Sequence, residues 1–312
     1  MKRIYLINTP EYPSLGTNYL FNLKFINTFS YHGLECNEIT DFSTFNQLED
    51  SEDQIFFLCD NFYDHRRPSW KEDFKFLAEK FSKSVWIFWS FHNVLSILYE
   101  DDLFPFKKSI FTGEYYRNPN IDVLGKNFEY YINLKNYVPL PFSAGKHPDT
   151  LEELWSKRTD THDCGFCGCQ YKVDWSRKLS EKYNCFIHYY PPFLDEETRL
   201  QKVFLDSKIC LGFNSDHAVE NGMPTERVFE GVAYGCVVLT DCPMAVEATD
   251  GAAVLVTNYA ELEEKVEYYL NNDNARLEKQ KQGMEFAKSK GTYYSVVGDF
   301  LKTIHEIYKE KK

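Results

Sequence analysis

The run from Pro224 to Asp241, PTERVFEGVAYGCVVLTD, decides how the chain is organised. Pro224 and Thr225 suit the start of a helix, and Gly235 suits the left-handed residue that ends one before the strand Cys236 to Thr240. The spacing predicts a helix of about three turns. On it Arg227, Glu230 and Tyr234 fall at i, i+3 and i+7 and share a face, while Val228, Phe229, Val232 and Ala233 pack inward. A polar stripe on a short helix inside an α/β unit invites a ligand. The amino end of the helix, at Thr225, offers free N–H groups and a partial positive charge, which suit a phosphate. Glu230 has the chemistry to accept hydrogen bonds from the two vicinal hydroxyls of a ribose. The competing reading is a plain ion pair between Arg227 and Glu230 on the helix surface.

The same alternation of strand and helix extends in both directions. Before the run, residues 2–8, 55–59, 85–91 and 109–112 read as buried strands, with helices at 18–31 and 70–81. The pattern breaks at VPLPFSAGKH, Val138 to His147, which reads as a linker. It resumes with strands at 165–168, 185–189, 208–213, 236–240 and 252–256. Helices are expected at 174–182, 195–205, 225–234, 259–271 and 273–288, with a terminal helix over 293–309. Strands alternating with helices predict parallel, helix-covered sheets. A chain of 312 residues fits two such domains of roughly 150 residues each. The expected division is residues 1–145, residues 146–290, and a C-terminal helix over 291–312 that packs back toward the first domain. Ligands in open α/β sheets bind beyond the carboxyl ends of the strands, so two doubly wound, Rossmann-like domains are expected to face a central cleft.

Composition narrows the class further. The net charge of -12 disfavours a protein that reads nucleic-acid backbone or clings to anionic lipid, since both need clustered cations. No stretch approaches the ~18 apolar residues of a membrane span, and the first residues are too short for a secretory leader. Nine cysteines at irregular spacings do not resemble a disulfide framework, and a cytoplasmic location is expected. The 26 Phe and 22 Tyr exceed what any one cleft could use, so most are expected in the core. His162, Cys164, Cys167 and Cys169 could be read as zinc ligands, but strand alternation puts Cys164 on the face opposite Cys167 and Cys169, and no metal site is assigned. The Gly-x-x-x-x-Gly-Lys-Ser/Thr phosphate loop and the Gly-x-Gly-x-x-Gly fingerprint are both missing from the sequence.

The Pro224 to Gly235 segment resembles the donor-binding helix of group 1 glycosyltransferases, and more closely that of the CgeB-like branch, where R-x-x-E precedes small residues, a glycine and a strand. The matching residues are Arg227, Glu230, Ala233, Gly235 and the strand CVVL. The resemblance continues through SKICLGFN, Ser207 to Asn214, through GFCGC at 165–169, and through AAVLV at 252–256. It implies the GT-B architecture and the transfer of a sugar from a UDP- or GDP-linked donor to a hydroxyl of a glycan or small acceptor. No cofactor is expected, and without any Asp-x-Asp the chemistry is expected to be metal-independent. The resemblance also places Asn214 and Thr225 at the donor. Relatives carry a basic residue against the diphosphate, for which Arg177 is the first candidate and Lys172 the second. Gly168, at a strand end, would let backbone approach a phosphate. In the first domain the loop of Gly16, Thr17 and Asn18 resembles the one that nears the donor phosphate. His92 stands where relatives place a histidine facing the donor sugar. Asp60 and Glu114, also at strand ends, are candidates for the acceptor-side base. One departure stands out, because Gly222 occupies the place of a second Glu found in many group 1 enzymes. A nucleotide-sugar epimerase or phosphorylase of the same fold, or a non-catalytic carbohydrate-binding protein, are the alternative readings.

Overall fold

The computed structural model describes residues 1–7, 16–59, 70–90, 106, 108–113, 138, 140, 142–192, 194–220 and 222–309. The chain divides into two compact units, one made of Met1–Pro141 with Val296–Lys312, the other of Phe142–Ser295.

In the first unit Arg3–Ile7 (β1) is buried from its second residue onward, as a strand must be with neighbours on both edges and helices on its faces. Helix Gly16–Tyr31 (α1) follows, then Glu35–Ile39 (β2), Gln54–Cys59 (β3), helix Trp70–Lys80 (α2), Val85–Ser90 (β4) and Ser109–Gly113 (β5). All pairs are parallel, in the order β2-β1-β3-β4-β5. The β2 strand, ECNEI, is absent from the sequence expectation because it is an edge strand with only Ile39 buried, and so carries no apolar alternation. The aromatic excess goes into this core. The Phe56 ring lies 4.6 Å from Trp86, 4.7 Å from Phe81 and 5.2 Å from Tyr5.

The second unit opens with helix Leu151–Ser156 (α3), His162–Gly168 (β6), Val173–Ser180 (α4) and Cys185–Tyr189 (β7). The helix expected over 195–205 is instead a single α turn, Glu196–Arg199 (α5), widening into a π turn at Leu200–Leu205. Then come Ser207–Gly212 (β8), Asp216–Glu220 (α6), Glu226–Ala233 (α7), Val237–Thr240 (β9), Pro243–Ala248 (α8), Ala253–Leu255 (β10), Tyr259–Asn271 (α9) and Asp273–Ser289 (α10). The terminal helix Tyr293–Lys309 (α11) begins in this unit and ends in the first. The sheet order is β10-β9-β8-β6-β7, again all parallel. Counted from its own first strand, each sheet has the order 2-1-3-4-5, so the direction of winding reverses between β1 and β3 in one and between β6 and β8 in the other. The crevice at such a reversal is where doubly wound sheets bind ligands. The fold class read from the sequence, α/β with two doubly wound parallel sheets, is the one observed.

Helix α7 is held against this sheet at both ends and along its length. At its close, Gly235 takes φ +83, the Cys236 N–H donates to Gly231 O at 2.9 Å, and the Gly235 N–H donates to Val232 O at 3.3 Å. This is the Schellman arrangement that a left-handed glycine permits. Arg158 clips the same end, donating to the carbonyls of Tyr234 at 2.7 Å, Ser207 at 2.7 Å and Phe204 at 3.0 Å while pairing with Asp160 at 2.6 Å. Along the helix, a Cβ on Gly212 would stand 2.9 Å from Val228, so the helix and β8 approach as closely as a glycine allows. Near the ends of the unit, Ala144 makes a single parallel bridge to Thr292. The Ala144 N–H donates to Gly291 O and the Tyr293 N–H to Ala144 O, each at 3.0 Å. Among the described residues, no helix is long and apolar enough to cross a membrane.

Candidate functional site

Arg227 lies in the first turn of α7 and reaches across the reversal point of the second sheet. Its Nε donates to the carbonyl of Cys167 at 2.6 Å, at the end of β6, and its Nη1 donates to the carbonyl of Phe213 at 3.0 Å, just past β8. The guanidinium also lies 4.6 Å from the centre of the Phe166 ring, a cation–π contact that further fixes its plane. Other arginines of this unit are neutralised: Arg158 by Asp160, Arg177 by Asp174, Arg199 by Glu230 and Arg276 by Asp273. Arg227 pairs with no carboxylate among the described residues. It is a pre-oriented positive charge at the crevice.

Gly168 belongs to the same arrangement for a reason different from the one expected. A Cβ there would fall 2.0 Å from Arg227 Nη2, so the space left by the missing side chain is filled by the guanidinium. Just beyond, the Tyr190 N–H donates to Gly168 O at 2.8 Å. Burial, and then a hydrogen bond with the Cys167 thiol, push the Tyr190 hydroxyl well above its usual pKa.

Asn214 links the amino end of α7 to the end of β9. It is fully buried. Its Oδ1 accepts from the Thr225 N–H at 3.0 Å, and its Nδ2 donates to Gly212 O at 2.8 Å and to Asp241 Oδ1 at 2.9 Å. Thr225 caps the helix in extended conformation without a side-chain capping bond.

The other expected site residues among those described have these partners. Glu230 is 1% exposed and both its oxygens accept from Arg199, with Nη2 to Oε1 at 3.0 Å and Nη1 to Oε2 closer still. Arg199 rather than Arg227 holds this carboxylate, against the surface Arg227–Glu230 pair that the sequence spacing allows. Tyr234, expected on the same polar face, is buried against Phe204. Arg177 forms an i, i+3 pair with Asp174 at 3.0 Å, both side chains mostly in solvent. Lys172 holds the left-handed position before α4 with φ +49. Its Nζ lies 2.7 Å from Asp216 and 4.0 Å from Asp241 Oδ2, so two carboxylates balance its charge. Gly16 is the first residue of α1, which places Thr17 and Asn18 in a helical turn rather than a loop. His92, Asp60 and Glu114 lie outside the described residues. Cys164 and Cys167 are buried in the strand and Cys169 is exposed beyond it; among the described residues no group of His, Cys, Asp or Glu is arranged to hold a metal ion.

Residues 150–302 match the family model described as glycosyl transferase-like. The chain therefore carries a glycosyl transferase-like domain. This domain covers nearly all of the second unit, including β6, the reversal point and Arg227. Both units together resemble the DNA-modifying enzyme beta-glucosyltransferase, at TM-score 0.57 and 15% identity over 98% of this chain and 100% of that one. They also resemble Anabaena Alr3699/HepE, at TM-score 0.52 and 9% identity over 98% and 100%. At these identities the likeness is one of fold, the GT-B glycosyltransferase fold. No curated protein matches the sequence.

Two residues of the glycosyl transferase-like domain escaped the sequence reading. Arg199 is hidden because its partner Glu230 is distant in the chain and the helix carrying it looks merely amphipathic. Asp241 had a usable signal, since it directly follows a buried strand, the same position that marked Asp60 and Glu114.

Proposed function

We propose that the chain transfers a glycosyl group from a nucleoside-diphosphate sugar, UDP- or GDP-linked, to a hydroxyl of a glycan or small acceptor. The reading rests on one observation, the acid-free Arg227 guanidinium held at the reversal point beside the amino end of α7. Phosphate oxygens suit that place, because a fixed guanidinium and the positive end of a helix both favour an anion. A departing nucleoside diphosphate gains negative charge in the transition state, so these groups stabilise that state more than the ground state. They do so without calling on a metal ion. Asn214 contributes by fixing Thr225, and therefore the first turn of α7. His92 is assigned to face the sugar, with Asp60 or Glu114 as acceptor-side base. The two structural relatives support the choice of donor, one having been solved with and without its substrate UDP-glucose and the other with UDP.

The test is a thermal-shift screen of nucleoside diphosphates. At about 100 times its dissociation constant, the cognate diphosphate is expected to add ~2.7 kcal/mol of stability. A flat response to UDP, GDP and the remaining diphosphates would rule out the donor site. Gly168→Ala supplies a sharper version. Its methyl group would occupy the space of Arg227 Nη2 and push the guanidinium aside, so the variant is expected to fold and to bind the diphosphate about 10-fold more weakly or worse. Titration calorimetry on the folded variant reads this directly, and wild-type affinity would contradict the placement of Arg227.

A further inference from the structure

Two buried oxygens beside Asn214 have no hydrogen-bond partner among the described residues, Thr225 Oγ1 and Asp241 Oδ2. Both belong to residues that Asn214 itself holds in place, Thr225 through its N–H and Asp241 through Oδ1. Asp241 follows β9, at the same carboxyl edge of the sheet as Phe213 and Cys167. Its side chain is 6% exposed. Oδ1 accepts twice, from the Asn214 N–H at 3.0 Å and from Nδ2 at 2.9 Å. Oδ2 has only the Lys172 ammonium, at 4.0 Å, and that ammonium bonds instead to Asp216. Burial pushes the Asp241 carboxyl above the usual carboxylate range, against the pull of Asn214 and Lys172. A buried acceptor left unmade is expensive, and this one belongs to a residue at the carboxyl edge, where such sheets bind ligands.

The charges around Oδ2 say what kind of group belongs there. Lys172 with Asp216 and Asp241 carries a net negative charge, which repels phosphate, whereas Arg227 has no acid beside it and attracts one. A metal cation would meet the Lys172 ammonium. A hydroxyl fits, because it donates to Asp241 Oδ2 and accepts from Lys172 Nζ at once. We propose that Asp241 is a specificity-determining residue that accepts a hydrogen bond from a hydroxyl of the glycosyl part of the donor, with Lys172 donating to the same group. This rests on the donor-site reading above and extends it from the diphosphate to the sugar. The two ends of the donor are then told apart by charge, anion at Arg227 and neutral polyol at Asp241.

The experiment compares each free diphosphate with its sugar conjugate by titration calorimetry. The probes are UDP against UDP-glucose and UDP-N-acetylglucosamine, and GDP against GDP-mannose, on wild type, Asp241→Ala and Asp241→Asn. The conjugate-to-diphosphate affinity ratio is expected to fall by about 10-fold or more in Asp241→Ala, while the free diphosphate binds as before. Asp241→Asn keeps the Oδ1 acceptor for Asn214 and so preserves the loop if alanine loosens it. Its ratio is expected to fall in the same direction, because an amide N–H replaces the acceptor. An unchanged ratio in both variants, with the diphosphate still bound, overturns the role of Asp241 and leaves the donor site standing. Failure of every diphosphate to bind the wild-type protein overturns the donor site and this inference with it.

Discussion

Arg227→Ala is expected to lower the rate of sugar transfer by about 10²- to 10³-fold, the range observed when one fixed donor is removed from a site of developing negative charge. The effect is large because the guanidinium is already oriented before substrate arrives. Two carbonyls, of Cys167 and Phe213, and the face of Phe166 hold it. Little reorganisation is left for the reaction step, so the full electrostatic benefit reaches the transition state. Losing the two carbonyl contacts costs about 1–3 kcal/mol of stability. Arg227→Lys keeps the charge but cannot span two carbonyls and a phosphate with one ammonium, and it is expected to recover only part of the rate. Product release measured with saturating donor separates the variants. An alanine variant as active as wild type would remove Arg227 from the reaction.

Glu230→Ala is expected to destabilise the second unit rather than to weaken a sugar contact. Arg199 is 12% exposed and Glu230 1%. Burial works against the charge on Arg199, and the Glu230 carboxylate outweighs it and holds the guanidinium protonated. Removing the carboxylate strands that charge at a cost of about 3–5 kcal/mol, or roughly 6–20 °C in Tm for a unit of this size. The discriminating measurement is the double variant Arg199→Met with Glu230→Leu. Replacing a whole buried pair by apolar side chains is often neutral or stabilising, so the double variant is expected to melt above Glu230→Ala. A Glu230→Ala protein that melts with the wild type would mean the pair contributes nothing.

Most of the fold was legible because both sheets are built from buried apolar runs. VVLT at 237–240 in the second sheet is buried throughout, and IFFL at 55–58 and VWIFW at 85–89 in the first sheet are buried too. What escaped was whatever lacked that signature. β2 is a polar edge strand, α8 is a short helix, and the change from α to π geometry at Leu200 depends on how the turn meets β8 rather than on its own residues. The site divides along a similar line. Local rules located α7, its cap and its glycine, and they put Arg227 in the first turn. They could not say which cation finds which anion. Arg227, Glu230 and Arg177 look alike in a sequence, and only the folded neighbours distinguish a bare guanidinium from a buried pair and a solvated one. Gly168 carries the same lesson, since its missing side chain makes room for Arg227, which arrives from a residue far along the chain.

The bridge between Ala144 and Thr292 bears on the order in which the chain assembles. Seen from the first unit, everything between Pro141 and Val296 is a single excursion of the backbone. Bringing the ends of so long a loop together carries an entropic penalty that grows only slowly with length, but it is incurred in full before any contact across it forms. The second unit meets that penalty itself, because its own folding ties residue 144 to residues 291–293. Once residue 144 is tied to residues 291–293, the loop left to close for the segment that starts at Val296 is short, and its entropic cost is small.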